Sequence, residues 1–292
     1  MNTLKKVAIA ISSGTLKGVY GQGILSAFEE AGLNVGAYGC ASSSVISAGL
    51  AGVKKSRSLG LEYWHYAAQE SRGKNMSKVV KTSIAKYFGL LTSGLFREGA
   101  PRFLIATSLV NNDAAAEITQ SSKARNCGRR LLIDLNRGNS AWVDENLTKV
   151  LFDSEGKLGP RLTADNLADV AYASTRMLHA WEDPAQVDGK PYVDASYTCS
   201  CPALELGDLG YKILVVIDVE TGPTYTSLTK KTKVEPDKIA GSFCLQVKPK
   251  YDPADVGVNY LSASSDGIER VYSDAFKQGL EVAKQLQEHG TL

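Results

Sequence analysis

A serine lies at the junction of two segments with opposite secondary-structure preferences. Residues 35–40 are small and apolar and predict a short buried strand, whereas residues 43–52 predict a closely packed helix. A serine on a sharp strand-to-helix turn exposes its hydroxyl at the edge of a sheet, where the helix N-terminus favours developing negative charge. Ser42 is therefore a candidate nucleophile. The alternative is that Ser42 or Ser43 serves only as the N-cap of the helix.

A second candidate site is the turn that follows the first strand. Residues 6–11 form a continuous apolar run rich in β-branched side chains, typical of a central parallel strand. The turn contains Gly14, Thr15, Leu16 and Lys17, and it places backbone N–H groups at the start of a helix. Such groups stabilise an oxyanion or bind a phosphate. The turn does not match a P-loop or a dinucleotide fingerprint, and an ordinary strand-to-helix connection is the alternative.

The predicted elements around these turns alternate between strand and helix. Strand 6–11, helix 17–31, strand 35–40 and helix 43–52 follow one another with short connections, which is typical of a parallel sheet. Further strands are predicted at 102–109, 131–135 and 211–219, and further helices at 163–177 and 268–289. The predicted fold class is α/β, with a mostly parallel central sheet flanked by helices on both faces.

Residues 58–98 form a predicted helical insertion. Its apolar side chains fall on one helical face, and Lys74, Lys78 and Lys81 fall on another. A basic amphipathic helix of this kind docks on a membrane surface or covers a site as a lid. The alternative is a helix that packs on the core and exposes its lysines to solvent.

No repeat or linker divides the chain, so residues 1–292 are expected to form a single domain. Residues 221–258 contain four prolines and predict an irregular loop region.

The composition of the 292-residue chain is that of an ordinary globular protein, with 43% hydrophobic and 22% charged residues and a formal net charge of +2. This balance argues against disorder and against a dedicated nucleic-acid binder. No apolar run reaches spanning length, and the run after the N-terminal lysines is too short for a signal sequence. We expect a cytoplasmic protein, with peripheral membrane contact as an open alternative.

The five cysteines show no disulfide-framework spacing, which favours a reducing compartment. Cys199 and Cys201 are separated by one residue and lack the further ligands of a zinc site. Neither a metal nor a cofactor is expected.

Three motifs, taken in order, resemble those of the patatin-like phospholipases and lipid acyl hydrolases. Residues 13–18, Ser-Gly-Thr-Leu-Lys-Gly, are similar to the family's G-G-G-x-[KR]-G turn after the first strand. Residues 40–44, Cys-Ala-Ser-Ser-Ser, are similar to its G-x-S-x-G elbow. Residues 194–196, Asp-Ala-Ser, are similar to its D-G-[AG] motif. The resemblance covers roughly residues 5–220 and implies a patatin-like three-layer architecture.

The resemblance implies a catalytic dyad in which Ser42 is the nucleophile and Asp194 is its base. A carboxylate with an ordinary pKa near ~3.9 is a weak base unless it is partly desolvated. The chain has only three histidines. Of these, His179, which precedes Asp194 by 15 residues, is the alternative base of a triad.

By the same resemblance, the N–H groups of Thr15 and Leu16, together with those of Gly14 and Lys17, form the oxyanion hole. The implied substrate is a phospholipid or another acyl-ester lipid, cleaved as by a phospholipase A. The residues indicate neither a head group nor an oligomeric state.

Several glycines of the family motifs are replaced in this chain, and the replacements are Ser13, Thr15, Cys40, Ser44, Ala195 and Ser196. Glycine is used where φ is positive or where backbones approach closely, so a β-branched Thr15 is a poor substitute if either is required. The retention of Ser42 and Asp194 favours an active enzyme. One alternative is a catalytically silent relative that binds lipid or protein. Another is an unrelated α/β protein that binds a small molecule.

Overall fold

The computed structural model describes residues 6–73, 75–239 and 241–291. Its strands are β1 (Val7–Ile11), β2 (Val35–Ala41), β3 (Arg102–Val110), β4 (Leu147–Asp153), β5 (Gln186–Val187), β6 (Lys190–Val193), β7 (Ile213–Ile217) and β8 (Phe243–Val247). Its helices are α1 (Val19–Glu30), α2 (Ser44–Gly52), α3 (Ser56–Glu70), α4 (Met76–Leu95), α5 (Asp113–Thr119), α6 (Ala124–Asn136), α7 (Ala141–Asn146), α8 (Leu167–Thr175), α9 (Ala203–Asp208) and α10 (Ser265–Gln287).

The eight strands form one mixed, mostly parallel sheet. Strands β3, β2, β1, β7 and β8 are neighbours in that order and run parallel. Strands β4 and β6 pair with β3 in the antiparallel sense, and β5 pairs with β6. The predicted α/β class with a mostly parallel central sheet is therefore confirmed.

Alternating residues of β1 face two different layers of the core. Val7, Ile9 and Ile11 belong to the large apolar cluster that includes buried side chains of α1, α2, α8 and α10. Ala8 and Ala10 belong to a smaller cluster with buried side chains of α9. Helices thus cover both faces, as expected for a buried parallel strand. None of the helices in the described ranges is both long and apolar enough to cross a membrane.

The predicted strand at residues 131–135 is wrong, because these residues lie inside α6. Leu131 and Leu135 are four residues apart and share the buried face of the helix, while Ile133 is 52% exposed. An apolar run of this length does not distinguish a strand from a helix. Residues 221–258, predicted to be irregular, contain β8 as a parallel edge strand.

The region predicted as a helical insertion contains α3 and α4. The apolar face of α4 packs into the core, where Val79, Ile84 and Tyr87 are buried. Lys78 and Lys81 are exposed on its other side. Lys74, assigned to the same lysine face, lies outside the described residues. The function of this region as a lid remains a prediction.

A buried ion pair holds the end of β4 against the start of β3. The Arg102 guanidinium contacts the carboxylate of Asp153, which is fully buried. The same carboxylate accepts hydrogen bonds from the N–H groups of Glu155, Lys157 and Leu158. Burial alone would raise the pKa of Asp153, but the guanidinium and these N–H groups lower it to about 2.

We expect Asp153→Asn to lower the free energy of unfolding at pH 7 by about 3 kcal/mol, because Arg102 would be left buried without its charged partner. A depressed carboxyl pKa stabilises the fold above the unfolded pKa near ~4, and this stabilisation is lost as the pH falls toward ~2. The variant should therefore show a flatter decline of stability over that range in denaturant titrations. Glu155→Gln, at the exposed second carboxylate near Arg102, is the control. Equal stability of Asp153→Asn and this control would contradict the prediction.

Candidate active site

The pairing of β3 with two other strands brings Ser42 and Asp194 together. Strand β2 pairs with β3 up to Ala41, which lies opposite Ala106. Strand β6 pairs antiparallel with β3, and its last residue, Val193, lies opposite Ser108. Because β4 occupies the other edge of β3 at both positions, β2 and β6 share one edge and point toward each other. The residues that follow them, Ser42 and Asp194, therefore meet end to end.

The Ser42 hydroxyl donates a hydrogen bond of 2.7 Å to Oδ2 of Asp194. Ser42 has φ 55, in the left-handed region, and lies between the end of β2 and the start of α2. Its backbone N–H donates to the hydroxyl of Ser174 at 2.8 Å. The sharp turn predicted from the sequence is thus present, and a side chain of α8 holds its strained backbone in place.

Asp194 is fully buried and makes no ion pair with any described residue. Its Oδ1 accepts the N–H of Ser196 at 2.7 Å, and its carbonyl oxygen accepts the Ser108 hydroxyl. Burial raises the pKa of Asp194 to about 6, even though the hydrogen bonds from Ser196 and Ser42 lower it. The carboxylate is therefore a stronger base than an exposed aspartate.

Two side chains at positions where the similar elbow motif has glycine form hydrogen bonds of their own. The Ser44 hydroxyl accepts the N–H of Ala41 at 2.9 Å and lies within donor distance of the carbonyls of Ala41 and Ile11. The Cys40 thiol lies 3.2 Å from the carbonyl oxygen of Leu104. The turn accommodates both replacements without an orphaned polar atom.

The Gly14–Lys17 turn reaches the site, but most of its N–H groups are occupied. The N–H of Gly14 donates to the Ser43 hydroxyl at 3.3 Å, and that of Lys17 donates to the Gly14 carbonyl at 3.0 Å. The Leu16 N–H donates to the carbonyl of Tyr260 at 3.3 Å. No described residue accepts the N–H of Thr15. Of the four predicted oxyanion donors, the Thr15 N–H is the one left available.

The backbone of this turn requires a glycine at one position and places a β-branched residue at a positive φ at another. A Cβ added to Gly14 would lie 2.2 Å from Cγ2 of Val219, so a larger residue does not fit. Thr15 has φ 47, and the positive φ that favours glycine is therefore adopted by a β-branched residue. This conformation costs about 1–3 kcal/mol, which the surrounding contacts must offset.

Two cavities of different character meet at Ser42. One has a volume of about 340 Å³ and is bordered by Ser42, Asp194 and His179. The other has a volume of about 50 Å³, is almost entirely apolar and extends between α2, α3 and α4. Both are bordered by Thr15 and Trp181 as well as Ser42. The candidate nucleophile therefore faces a wider space lined by both polar and apolar residues on one side and a narrow apolar space on the other.

None of the histidines forms a hydrogen bond with Ser42. His179 borders the wider cavity, but no described residue pairs with its buried Nδ1. Burial, together with the nearby Arg129 and Arg125, lowers the pKa of His179, so its imidazole is neutral at pH 7. His65 contacts Glu269, and the ring of His289 stacks on Phe243.

Some contacts of the site carry no signal in the sequence. Ser174 lies in α8 and Tyr260 in the loop before α10, and neither belongs to one of the three motifs. The Ser43 N–H, at the N-terminus of α2, also has no acceptor among the described residues. Within the described ranges, no three His, Cys, Asp or Glu side chains cluster as ligands for a metal ion.

Comparisons with protein families and with curated proteins found no match to this sequence. A solved structure, human GIVD cytosolic phospholipase A2, is similar over 96% of this chain with 10% sequence identity and a TM-score of 0.46. The matched region covers 63% of that structure, so this chain spans less than two thirds of its length.

We expect Asp194→Asn to raise the free energy of unfolding at pH 7 by about 3 kcal/mol, because the carboxyl pKa is raised to about 6 and each unit of pKa shift corresponds to ~1.4 kcal/mol. A raised carboxyl pKa means that the wild-type fold loses stability as the pH rises from ~4 to ~6, and the amide removes this loss. Denaturant titrations at about pH 4.5 and about pH 7 measure the free energy of unfolding of the wild type and the variant. Asp188→Asn, at an exposed aspartate of the preceding turn, should change stability by less than ~0.5 kcal/mol. A destabilised Asp194→Asn protein would show that the charge is not a cost to the fold.

Proposed function

We propose that this protein hydrolyses carboxylic ester bonds of lipids through an acyl-enzyme formed on Ser42, with Asp194 as the base. The observation that carries the proposal is the 2.7 Å hydrogen bond from the Ser42 hydroxyl to a fully buried carboxylate. Its pKa of about 6 lies close to neutral pH, where a general base is most effective.

In the first half of the reaction, Ser42 Oγ attacks the ester carbonyl carbon as its proton moves to Oδ2 of Asp194. The tetrahedral intermediate then collapses, the bond to the leaving alcohol breaks, and Asp194 returns the proton to the departing oxygen. In the second half, a water molecule attacks the acyl-serine and gives its proton to Asp194. Release of the fatty acid transfers that proton back to Ser42.

The N–H groups of Thr15 and Ser43 are the proposed oxyanion donors. A nucleophile elbow uses the N–H of the residue after the nucleophile together with one from a neighbouring loop. Neither N–H has an acceptor among the described residues, and the Ser43 N–H lies at the N-terminus of α2, where the helix dipole favours negative charge.

A lipid substrate is supported by the apolar cavity beside Ser42. Its lining includes Tyr63, Trp64 and Ala67 from α3 and Val79, Val80 and Ile84 from α4. At about 50 Å³ the cavity is narrow, so a long acyl chain would enter it only by displacing some of these side chains. An apolar lining suits an acyl chain better than a polar substrate.

A second candidate is a silent module that binds lipid without hydrolysing it. The observation in its favour is the Gly14–Lys17 turn, in which three of four N–H groups already have acceptors. Loss of a single oxyanion donor typically lowers kcat by ~10²–10³. Covalent labelling separates the candidates, because only an activated serine reacts with a fluorophosphonate.

We expect wild-type protein to react with a fluorophosphonate probe and to hydrolyse a medium-chain nitrophenyl ester. Ser42→Ala should abolish both, and Asp194→Asn should lower kcat/KM by ~10²–10⁴, since it removes the base. Ser47→Ala, at another buried serine of α2, is the matched control and should retain labelling. Because Asp194 accepts a proton only when ionised, kcat/KM should rise with pH through about 6 and then level off. Labelling that survives Ser42→Ala would place the nucleophile elsewhere, and no labelling of wild type would favour the silent module.

We expect Val80→Phe to reduce hydrolysis of long-chain esters by about ten-fold, because the larger ring fills the narrow apolar cavity. Acetyl ester hydrolysis should change little, since the reacting atoms lie at Ser42. A chain-length series of nitrophenyl esters measures both, with Val80→Ala as the control that enlarges the cavity. A uniform effect on all chain lengths would mean that the acyl chain lies in the wider cavity instead.

A further inference from the structure

We propose that the surface around the mouth of the Ser42 cavity docks on an anionic lipid bilayer. This docking surface consists of α6 with Arg137 and of residues 259–262. This docking rests on the proposed function, because a lipid hydrolase must reach its lipid substrate. The exposed residues that support it do not depend on catalysis.

The apolar part of the docking surface lies at the cavity mouth. Tyr260 and Leu261 both border the cavity that contains Ser42, yet they are 49% and 47% exposed. Leu132 of α6 borders the same cavity, and Ile133, the next residue, is 52% exposed. Exposed large apolar side chains from two separate segments beside one cavity are typical of a surface that contacts lipid.

The basic part of the docking surface is α6. Residues 123–137 contain five lysines and arginines but one acidic residue, Asp134. Arg129, Arg130 and Arg137 are exposed and have no ion-pair partner among the described residues. Arg129 lies one helical turn before Leu132, and the adjacent Gly128 packs against His179, so this charge lies on the part of α6 that borders the cavity.

The combination of apolar and basic residues favours an anionic bilayer over a neutral one. Basic residues close to an anionic leaflet each contribute a factor of about five in partitioning, and apolar side chains insert below the head groups. Neutral bilayers satisfy only the apolar part. An anionic bilayer satisfies both and places the ester bonds of its lipids at the opening to Ser42.

The docking surface is joined directly to the reaction site. The carbonyl of Tyr260 accepts the Leu16 N–H, and its ring lies 4.7 Å from the Lys17 ammonium. Lys17 is in turn paired with Glu220 and Asp252. A lipid that contacts Tyr260 therefore touches a residue bonded to the candidate oxyanion turn.

Helix α4, the membrane-docking candidate suggested by the sequence, is a poorer surface. Its apolar face is buried in the core, and Lys81 and Lys86 are paired with Asp183 and Glu62. Lys78 remains exposed and provides a test of the α4 alternative.

The experiment measures binding, using Ser42→Ala protein so that lipid is not consumed. The protein is sedimented with vesicles of phosphatidylcholine alone or with about a third phosphatidylglycerol. We expect pelleting with the anionic vesicles that weakens at high salt. Arg129→Gln/Arg130→Gln/Arg137→Gln should weaken the affinity about a hundred-fold, at about five-fold per arginine.

Leu261→Ser and Ile133→Ser should each weaken binding by about ten-fold. The matched control is Lys55→Gln/Lys277→Gln/Lys284→Gln, which removes three exposed lysines outside the docking surface. Lys277 and Lys284 lie on α10, and Lys55 lies just before α3. Circular dichroism and thermal melts verify that every variant is folded.

Loss of binding in the arginine variant, with binding kept in the lysine control, supports the docking surface even if wild type hydrolyses nothing. No pelleting with anionic vesicles overturns it, whatever the esterase result. Equal loss in both triple variants, or loss with Lys78→Gln alone, also overturns it. Self-association that the same apolar substitutions abolish, without vesicle binding, would assign the surface to a second copy of the chain.

Discussion

The site depends on a buried carboxyl group, that of Asp194, which is stabilised in the protein interior by hydrogen bonds and not by an ion pair with any described residue. Asp194 has no cationic partner among the described residues, and its oxygens are satisfied by the Ser42 hydroxyl and the Ser196 N–H. Asp153, equally buried, has an arginine partner and a pKa of about 2, whereas that of Asp194 is about 6. The same residue type therefore stabilises the fold in one place and remains available as a base in the other. What distinguishes them is the neighbouring guanidinium of Arg102, together with the three backbone N–H groups that donate to Asp153.

The backbone around the carboxylate is strained on two sides. Thr15 and Ser42 both have positive φ, and neither is a glycine. Each strained residue is flanked by contacts that leave it little freedom: Gly14 lies against Val219, and the Ser42 N–H is held by Ser174. Since such conformations persist only when the surroundings enforce them, the rigidity of the two turns is a property of the tertiary structure. The Ser43 hydroxyl, which accepts the Gly14 N–H, ties one turn to the other.

The elements with strong periodicity could be predicted, whereas the contacts that complete the site could not. Strands β1 and β2 and helices α2 and α10 follow from apolar runs and helical spacing. Residues 131–135 were wrongly predicted as a strand, because this short apolar run does not by itself reveal the helical spacing of α6. Ser42 and Asp194 could be paired only through the family resemblance. Their hydrogen bond results from β2 and β6 sharing one edge of β3, and the sequence contains no local sign of that pairing.

The replaced glycines become understandable once their surroundings are known. A glycine is required where a Cβ would collide, as at Gly14, but Cys40 and Ser44 occupy positions where a small side chain finds its own hydrogen-bond partner. The elbow therefore accommodates a side chain at both positions. Thr15 differs, because its positive φ is unfavourable for a β-branched residue, and no side-chain hydrogen bond removes that conformational cost. Thr15 is also the one residue of the Gly14–Lys17 turn whose N–H has no acceptor in the described structure. Strained backbone conformations cluster at functional sites, so this strain is consistent with an N–H group that binds a substrate.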